Sequence, residues 1–482
     1  MFDVQQHLES VFADCIRLGE DLHDDQREAV DWLMARPFSA LLADVGMGKT
    51  IIIETLLDKL FTDGFTGRVL IIAPIRVANR VWMREHRLWR HVAYLNPVLL
   101  RIDDDDPRLA GVKGTAKTLR KHALRAELLD IDSRIHVINR EAVDWLVDKW
   151  AERRLWPYQV VIFDESSVLR DHNSLIFKSM KRVLHRVKRF HQLTATPASQ
   201  TYMHFFSQIY LLDQGVRFGK TITPFREKYF TYNPYARTWK IRDGAAEAIE
   251  EQITDICLVM RREKNFLVRT RPIQLPPAVM RQYRDFERDA ILQIPDAELI
   301  EGVTAAALNN KLLQYASGAV YDANRKYHVI HDEKIDELKQ LADETLDNPV
   351  MVAYWYKSSL DRLRKAFSKA AIMDREGKIE EDWNKRKFKM MFVHPRGSAH
   401  GLNLQFGGHH IVLFDIFWPL ELFTQLIGRL DRQPQRNTVM VHLLSAVGTH
   451  DEVVSRNLEL LRSAEEDMKG RLQALQRRHR HG

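Results

Sequence analysis

The segment ALLADVGMGKT, running straight into IIIETLLDKLF, constrains this chain more than any other. An apolar run ending near Asp44, a glycine-bearing turn and a helix-favouring run in direct succession predict a strand, a loop and the start of a helix. Such a loop wraps phosphates. Gly46, Met47, Gly48, Lys49 and Thr50 would form it. The glycines let the backbone approach, and the NH groups and the helix N-terminus face negative charge. Lys49 can bridge the β- and γ-phosphates of ATP, and Thr50 can ligate Mg2+. Ala43 occupies the first glycine position of the strict GxxxxGK[ST] pattern, so the segment alone also reads as a glycine turn before a helix.

Three further segments supply what phosphoryl transfer needs. In VVIFDESS an apolar strand carries Asp164 and Glu165 to its end, where ligands of open α/β sheets bind. Asp164 can hold the Mg2+ shell, and Glu165 can orient or deprotonate the attacking water. Alone, the pair reads equally as an acidic helix start. In HQLTATP, Thr194 and Thr196 end another predicted strand and could couple the carboxylates to a second lobe; the bare alternative is a strand entering a proline turn. In QLIGRLDRQPQ, Gln425, Gly428, Arg429 and Arg432 form a spaced polar set on a predicted helix, with the arginines at i and i+3 on one face. Gln425 is assigned to the nucleotide, and the arginines can neutralise charge developing on the γ-phosphate. Taken singly, each arginine is also an ordinary surface ion-pair residue. Upstream, HPRGSAHGLNLQ supplies a tight polar loop with Ser398, His400, Asn403 and Gln405.

The 482 residues exceed what one core usually organises. Two series of short β-branched runs follow, each interrupted by helix-favouring text. The first comprises Ser39–Asp44, Val69–Pro74, His136–Asn139, Val160–Glu165 and Phe190–Pro197, and the second Val350–Trp355, Lys389–Pro395, His409–Asp415 and Thr438–Leu444. The expected fold class is therefore α/β, with two RecA-like parallel-sheet lobes and a mainly helical insertion between them. Expected bounds are 1–210 for the ATP-binding lobe, 211–347 for the insertion, 348–465 for the second lobe and 466–482 for a basic C-terminal tail. The run Asp103–Pro107 lacks the glycine and distal glutamate of a calcium loop and reads as a solvated turn.

The net charge of +7 permits a polyanionic partner without establishing one. Cys15 and Cys257 lie far apart with no CxxC spacing, which suggests neither a disulfide framework nor a cysteine zinc site and fits a reducing compartment. The N-terminus has no basic segment leading into an apolar stretch, and no apolar run reaches membrane-spanning length. The expectation is a soluble, unprocessed intracellular protein, cytoplasmic or nucleoid-associated, nuclear if eukaryotic and in the host cytoplasm if viral.

The order of these motifs resembles superfamily 2 helicases, and more specifically the Swi/Snf-like double-stranded-DNA translocases, over most of the chain. LHDDQREAVDWLM resembles the adenine-recognition segment, which points to Gln26; VLIIAPIRVANRVWMREH resembles the first DNA-contact motif; LTATP is similar to the third motif; GLNLQ and QLIGRLDRQPQ are similar to the fifth and sixth. More discriminating is LTATPASQTYMHFFSQIYLLDQGVRFGKTITPFREKYF, which resembles the family's extension from a Thr-Pro turn into an aromatic-spaced helix. LVMRREKNF and QLPPAVMRQY resemble its Leu-Arg-Arg and Leu-Pro-Pro segments. Ser166 and Ser167 stand where His or Gln is common, and Ala195 where glycine is usual. The resemblance implies a minimal motor using ATP and Mg2+, with duplex DNA contacted on its phosphates by Arg76, by the loop at Asn139 and Arg140, and by the loop at Ser398. Single-stranded DNA or RNA is the alternative polymer, and a partner protein is left open.

Three other readings compete. A strand-separating helicase would need a pin or wedge, and none is identifiable between Leu211 and Asp347. A nucleotide-regulated clamp would not need the full set of Lys49, Asp164, Glu165, Arg429 and Arg432. A small-molecule kinase would need an acceptor site that the second lobe does not offer.

Overall fold

The computed structural model describes residues 17–198, 201–235, 237–293, 300–302, 304–345, 348–374, 379–398 and 402–481. It divides into two compact units, one formed by Met1–Arg262 with Glu465–Gly482, the other by Glu263–Ala464.

The first unit is built on a seven-stranded sheet. Its strands are β1 (Phe38–Ala43), β2 (Arg68–Ala73), β3 (Val98–Leu99), β4 (Ile135–Asn139), β5 (Tyr158–Asp164) and β6 (Arg189–Thr194). A separate hairpin of β7 (Phe230–Asn233) and β8 (Thr238–Ile241) comes next, and β9 (Cys257–Met260) then completes the sheet. The spatial order is β3-β4-β2-β5-β6-β1-β9, and every pairing is parallel. β1 and β2 are buried from their second residue on and β4 throughout, as expected of strands covered by helices on both faces. One face packs Ile52, Leu56 and Trp82, the other Leu146, Phe177 and Phe205.

The segment that resembles a family extension forms the helices His204–Asp213 and Ile222–Tyr229. Aromatic residues of these helices and of the loop between them pack on one another, with the Phe218 and Phe225 ring centroids 4.8 Å apart. The long final helix, His450–His481, carries the basic C-terminal stretch. From Glu465 on it belongs to the first unit, whose core takes up Met468 and Leu472. Apolar residues four apart, Met468 and Leu472, give that stretch a burying face.

In the second unit β10 (Phe266–Ile273) leads to two short antiparallel hairpins, β11 (Ile291–Leu292) with β12 (Ile300–Glu301) and β13 (Ala319–Tyr321) with β14 (Tyr327–Val329). Strands β15 (Val350–Ala353), β16 (Ala371–Ile372), β17 (Met390–Val393), β18 (His410–Leu413) and β19 (Val439–Ala446) follow. They form with β10 a six-stranded parallel sheet ordered β10-β19-β18-β15-β17-β16. The two parallel sheets are the two RecA-like lobes. A buried Lys334–Asp451 ion pair of 2.7 Å ties the helix Glu333–Glu344 to the start of the final helix. Among the described residues no helix is long and apolar enough to cross a membrane.

Candidate active site and nucleic-acid face

Because all strands of the first unit run parallel, their C-terminal ends share one edge, where loops leave the sheet and polar groups collect. Asp164 pairs with Leu193 across β5 and β6, Leu42 with Thr194 across β1 and β6, and Ala73 with Asn139 across β2 and β4. The sheet thus brings Lys49, Asp164, Thr194 and the candidate DNA residues to one edge.

The phosphate loop leaves β1 through Asp44. Gly46 and Gly48 sit at φ +90° and +77°, which side chains with a Cβ disfavour, and a Cβ on Gly48 would collide with the Gln26 amide. Gln26 is buried; its Nε2 donates to the Met47 carbonyl at 3.1 Å while its Oε1 accepts from the His23 NH at 3.0 Å. It therefore braces the loop from the preceding helix. Lys49 opens the helix Lys49–Thr62, and its Nζ donates to the Ala43 carbonyl at 3.1 Å. Thr50 follows at the second helical position.

Asp164 is buried at the end of β5 and held on both oxygens: Trp82 Nε1 donates to Oδ2 at 3.0 Å, and the Glu165 NH donates to Oδ1 at 3.0 Å. Burial pushes its carboxyl above the ordinary range, opposed by the Lys49 charge and the Trp82 hydrogen bond. Glu165 is a non-glycine residue at φ +53°, ψ +57°, strained backbone of the kind that clusters where chemistry over-determines geometry. Thr194 Oγ1 accepts from the Thr196 NH at 3.1 Å, and the buried Thr196 Oγ1 has no hydrogen-bond partner among the described residues. Ser166 and Ser167 are buried beneath the acidic pair.

Among the described residues no group of three or more His, Cys, Asp or Glu is placed to hold a metal. The Thr50 hydroxyl and the Asp164 carboxylate are the oxygen groups on this edge of the type that Mg2+ takes. Both are hard oxygen donors, and Mg2+ keeps most of its shell for water and phosphate.

Two features were not legible as functional in the sequence. Trp82 lies six residues beyond Arg76, and its only signal was an indole NH that must find an acceptor when buried. Asp44 accepts from Lys469 Nζ at 2.8 Å, with both side chains at least 96% buried, and from the Arg262 NH at 3.4 Å. Arg262 Nε also donates to the Val45 carbonyl at 3.1 Å, and Lys469 has a second carboxylate, Glu465, at 3.4 Å. The lead-in to the phosphate loop is thereby pinned from the end of β9 and from the final helix, some 400 residues away in sequence.

Of the candidate DNA residues, Arg76 lies just beyond β2 and Arg140 just beyond the adjacent β4. Asn139 Nδ2 and Arg140 Nε both donate to Glu141, at 3.0 and 3.1 Å. Ser398 ends the single turn Pro395–Ser398, and its side chain lies outside the described residues, as does His400.

In the second unit the helix Leu420–Leu430 holds Gln425 and Arg429, both buried. Gln425 Nε2 donates to Glu421 Oε1 at 3.3 Å, within its own helix. The helix stops two residues short of Arg432. Asp431 turns out of it at φ −78°, ψ 75°, so Arg432 lies beyond the end and does not share a helical face with Arg429. Both arginines nevertheless meet the same loop: Arg429 Nη1 donates to the Leu402 carbonyl at 3.0 Å and Arg432 Nη1 to Asn403 Oδ1 at 2.7 Å.

No protein-family model matches the chain. Putative protein p41 of the Acyrthosiphon pisum secondary endosymbiont phage 1 is 33% identical over 440 residues, covering 86% of this chain and 91% of that protein. The CHD3-type chromatin-remodeling factor PICKLE of Arabidopsis thaliana is 21% identical over 89% of this chain, which spans only 33% of that longer protein. The solved SWI2/SNF2 ATPase core of Sulfolobus solfataricus in complex with dsDNA aligns over 94% of both chains at 17% identity and a TM-score of 0.43. This chain belongs to one family with the phage protein, and its sequence is similar to those of Swi/Snf-type chromatin-remodeling factors and ATP-dependent helicases.

Proposed function

We propose that this ATP-dependent, DNA-acting motor translocates along double-stranded DNA without needing to separate its strands. The observation that carries the reading is the segment joining Arg76 to Trp82. It leaves β2 as the first candidate DNA contact and ends in an indole that holds Asp164 by a 3.0 Å hydrogen bond. A shift imposed on this segment by a duplex would be felt directly at the carboxylate of the hydrolytic site.

In this reading the loop NH groups of residues 46–50 and Lys49 bind and orient the phosphates. Magnesium, bound through Thr50 and Asp164, supplies charge neutralisation on the phosphate oxygens. Glu165 aligns the attacking water and accepts its proton, while Thr194 and Thr196 relay the state of the acidic pair. Gln26 steadies the loop at Met47 as well as facing the base. Arg429 and Arg432 answer to nucleotide state in the second unit, and Arg76, Asn139 and Arg140 grip phosphates without reading sequence.

Steady-state ATP hydrolysis measured without nucleic acid and with duplex DNA, single-stranded DNA and RNA tests the proposal. Stimulation is expected mainly from duplex DNA; stimulation confined to single strands or RNA contradicts it. Trp82→Phe removes the indole donor and keeps the bulk. It should lower the duplex-stimulated kcat by roughly tenfold, the worth of one buried hydrogen bond to a charged group, with the KM for ATP little changed. An unchanged stimulated kcat would break the proposed link.

A further inference from the structure

The β7–β8 hairpin is a two-stranded ribbon with one face laid on the body and the other open. Phe230 is buried at its base, the Arg242 NH donates to the Tyr229 carbonyl at 3.0 Å, and Trp239 and Ile241 are half-buried against the core of the first unit. On the other face Thr231, Asn233, Thr238 and Lys240 are all exposed. Tyr232 is 46% exposed and Tyr235, at the tip, 98%. The ribbon holds itself together by a cross-strand pair, Tyr232 against Trp239 with ring centroids 5.0 Å apart, with the Arg226 guanidinium 5.5 Å from the Trp239 ring. At the tip the Tyr235 NH donates to Asn233 Oδ1 at 3.0 Å, a local turn lock that presents the tyrosine outward.

A hairpin with no third strand is at best marginally stable in water, and exposed aromatic residues with open strand edges are a liability unless something covers them. Its charge says what. Between Arg226 and Arg242 five residues are basic (Arg226, Lys228, Arg237, Lys240 and Arg242), whereas Glu227 alone is acidic. Among the described residues Lys228, Arg237 and Lys240 have no carboxylate partner. A surface that is predominantly basic and carries an exposed aromatic tip is complementary to a polyanion, and a two-stranded ribbon is one of the few protein elements that fit the major groove of B-DNA.

We infer that the β7–β8 hairpin is a duplex-DNA contact element, with Arg237 and Lys240 on phosphates and Tyr235 against the groove. The inference rests on the double-stranded-DNA reading above and adds to it a contact that none of the helicase-type motifs supplies. It also accounts for the aromatic, basic text of residues 231–242, to which no motif was assigned.

The test measures binding of the full chain to a blunt duplex over a range of salt concentrations, for the wild type, Tyr235→Ala and Arg237→Ala/Lys240→Ala. These side chains are exposed, so the thermal unfolding of each variant should match the wild type and confirm that the comparison is between folded proteins. Losing two phosphate contacts should reduce the slope of log affinity against log salt by about 2. Tyr235→Ala should weaken binding roughly fivefold, the low end for an aromatic contact to a base. Wild-type affinity and slope in both variants would overturn the inference, as would an effect confined to single strands. A wild type that does not bind duplex at all would remove the parent reading, and the inference with it; that outcome is separately visible in the control.

Discussion

Glu165→Gln should leave a protein that binds ATP with near-normal affinity and hydrolyses it roughly a hundred- to ten-thousand-fold more slowly, with or without nucleic acid. The amide keeps the shape of the carboxylate but cannot take a proton from water. The backbone at Glu165 is already at φ +53°, and glutamine accepts that conformation no less readily than glutamate, so the fold is not expected to suffer. Binding of a fluorescent ATP analogue and single-turnover hydrolysis separate the two effects. Retained hydrolysis would place the base elsewhere, and lost binding would mean that Glu165 holds the nucleotide and does not act on water.

The second large effect is on stability. Lys469→Met removes the ammonium that lies 2.8 Å from Asp44 and 3.4 Å from Glu465, two carboxylates nearly sealed from water. Removing one partner of a buried pair typically costs about 3–5 kcal/mol, far more than the pair is worth against an apolar replacement of both. The variant should unfold at markedly lower denaturant concentration, read by the fluorescence of tryptophans such as Trp82 and Trp150, both buried in the first unit. Adding Asp44→Asn to it should recover part of the loss, which a double-mutant cycle measures. Purely additive losses would show that the 2.8 Å contact carries no coupling. Because Asp44 leads directly into the glycine loop, the same variant should also bind ATP less tightly.

The parts of this molecule that were legible beforehand are those where local text suffices. Central strands such as β2, β4 and β5 announce themselves as apolar β-branched runs, because a strand covered on both faces has no solvent face to alternate with. The glycine loop and the Asp164–Glu165 pair were legible for a different reason, since phosphate chemistry admits few residue types at fixed spacing. β10 was missed: FLVRTRPI interleaves exposed Arg269 and half-buried, ion-paired Arg271 with apolar positions on an edge strand, and charge on an edge hides the β signal. The hairpin β7–β8 escaped for a similar reason, lying among aromatic and basic residues with no Asn-Gly or Asp-Gly turn to mark it. The shared helical face of Arg429 and Arg432 failed at a boundary, where a helix end two residues earlier left Arg432 off the helix. Lys469 could not have been found at all. A lysine near the end of a chain reads as solvated, and only the fold places it against Asp44.

The account stands or falls on movement along duplex DNA. Displacement of a labelled third strand from a DNA triplex measures that movement with no strand of the underlying duplex separated. The account predicts ATP-dependent displacement of the third strand, abolished by Glu165→Gln, and no release of a strand from a forked duplex under the same conditions. Strand release from the fork with the triplex left intact would contradict it and make this chain a strand-separating helicase.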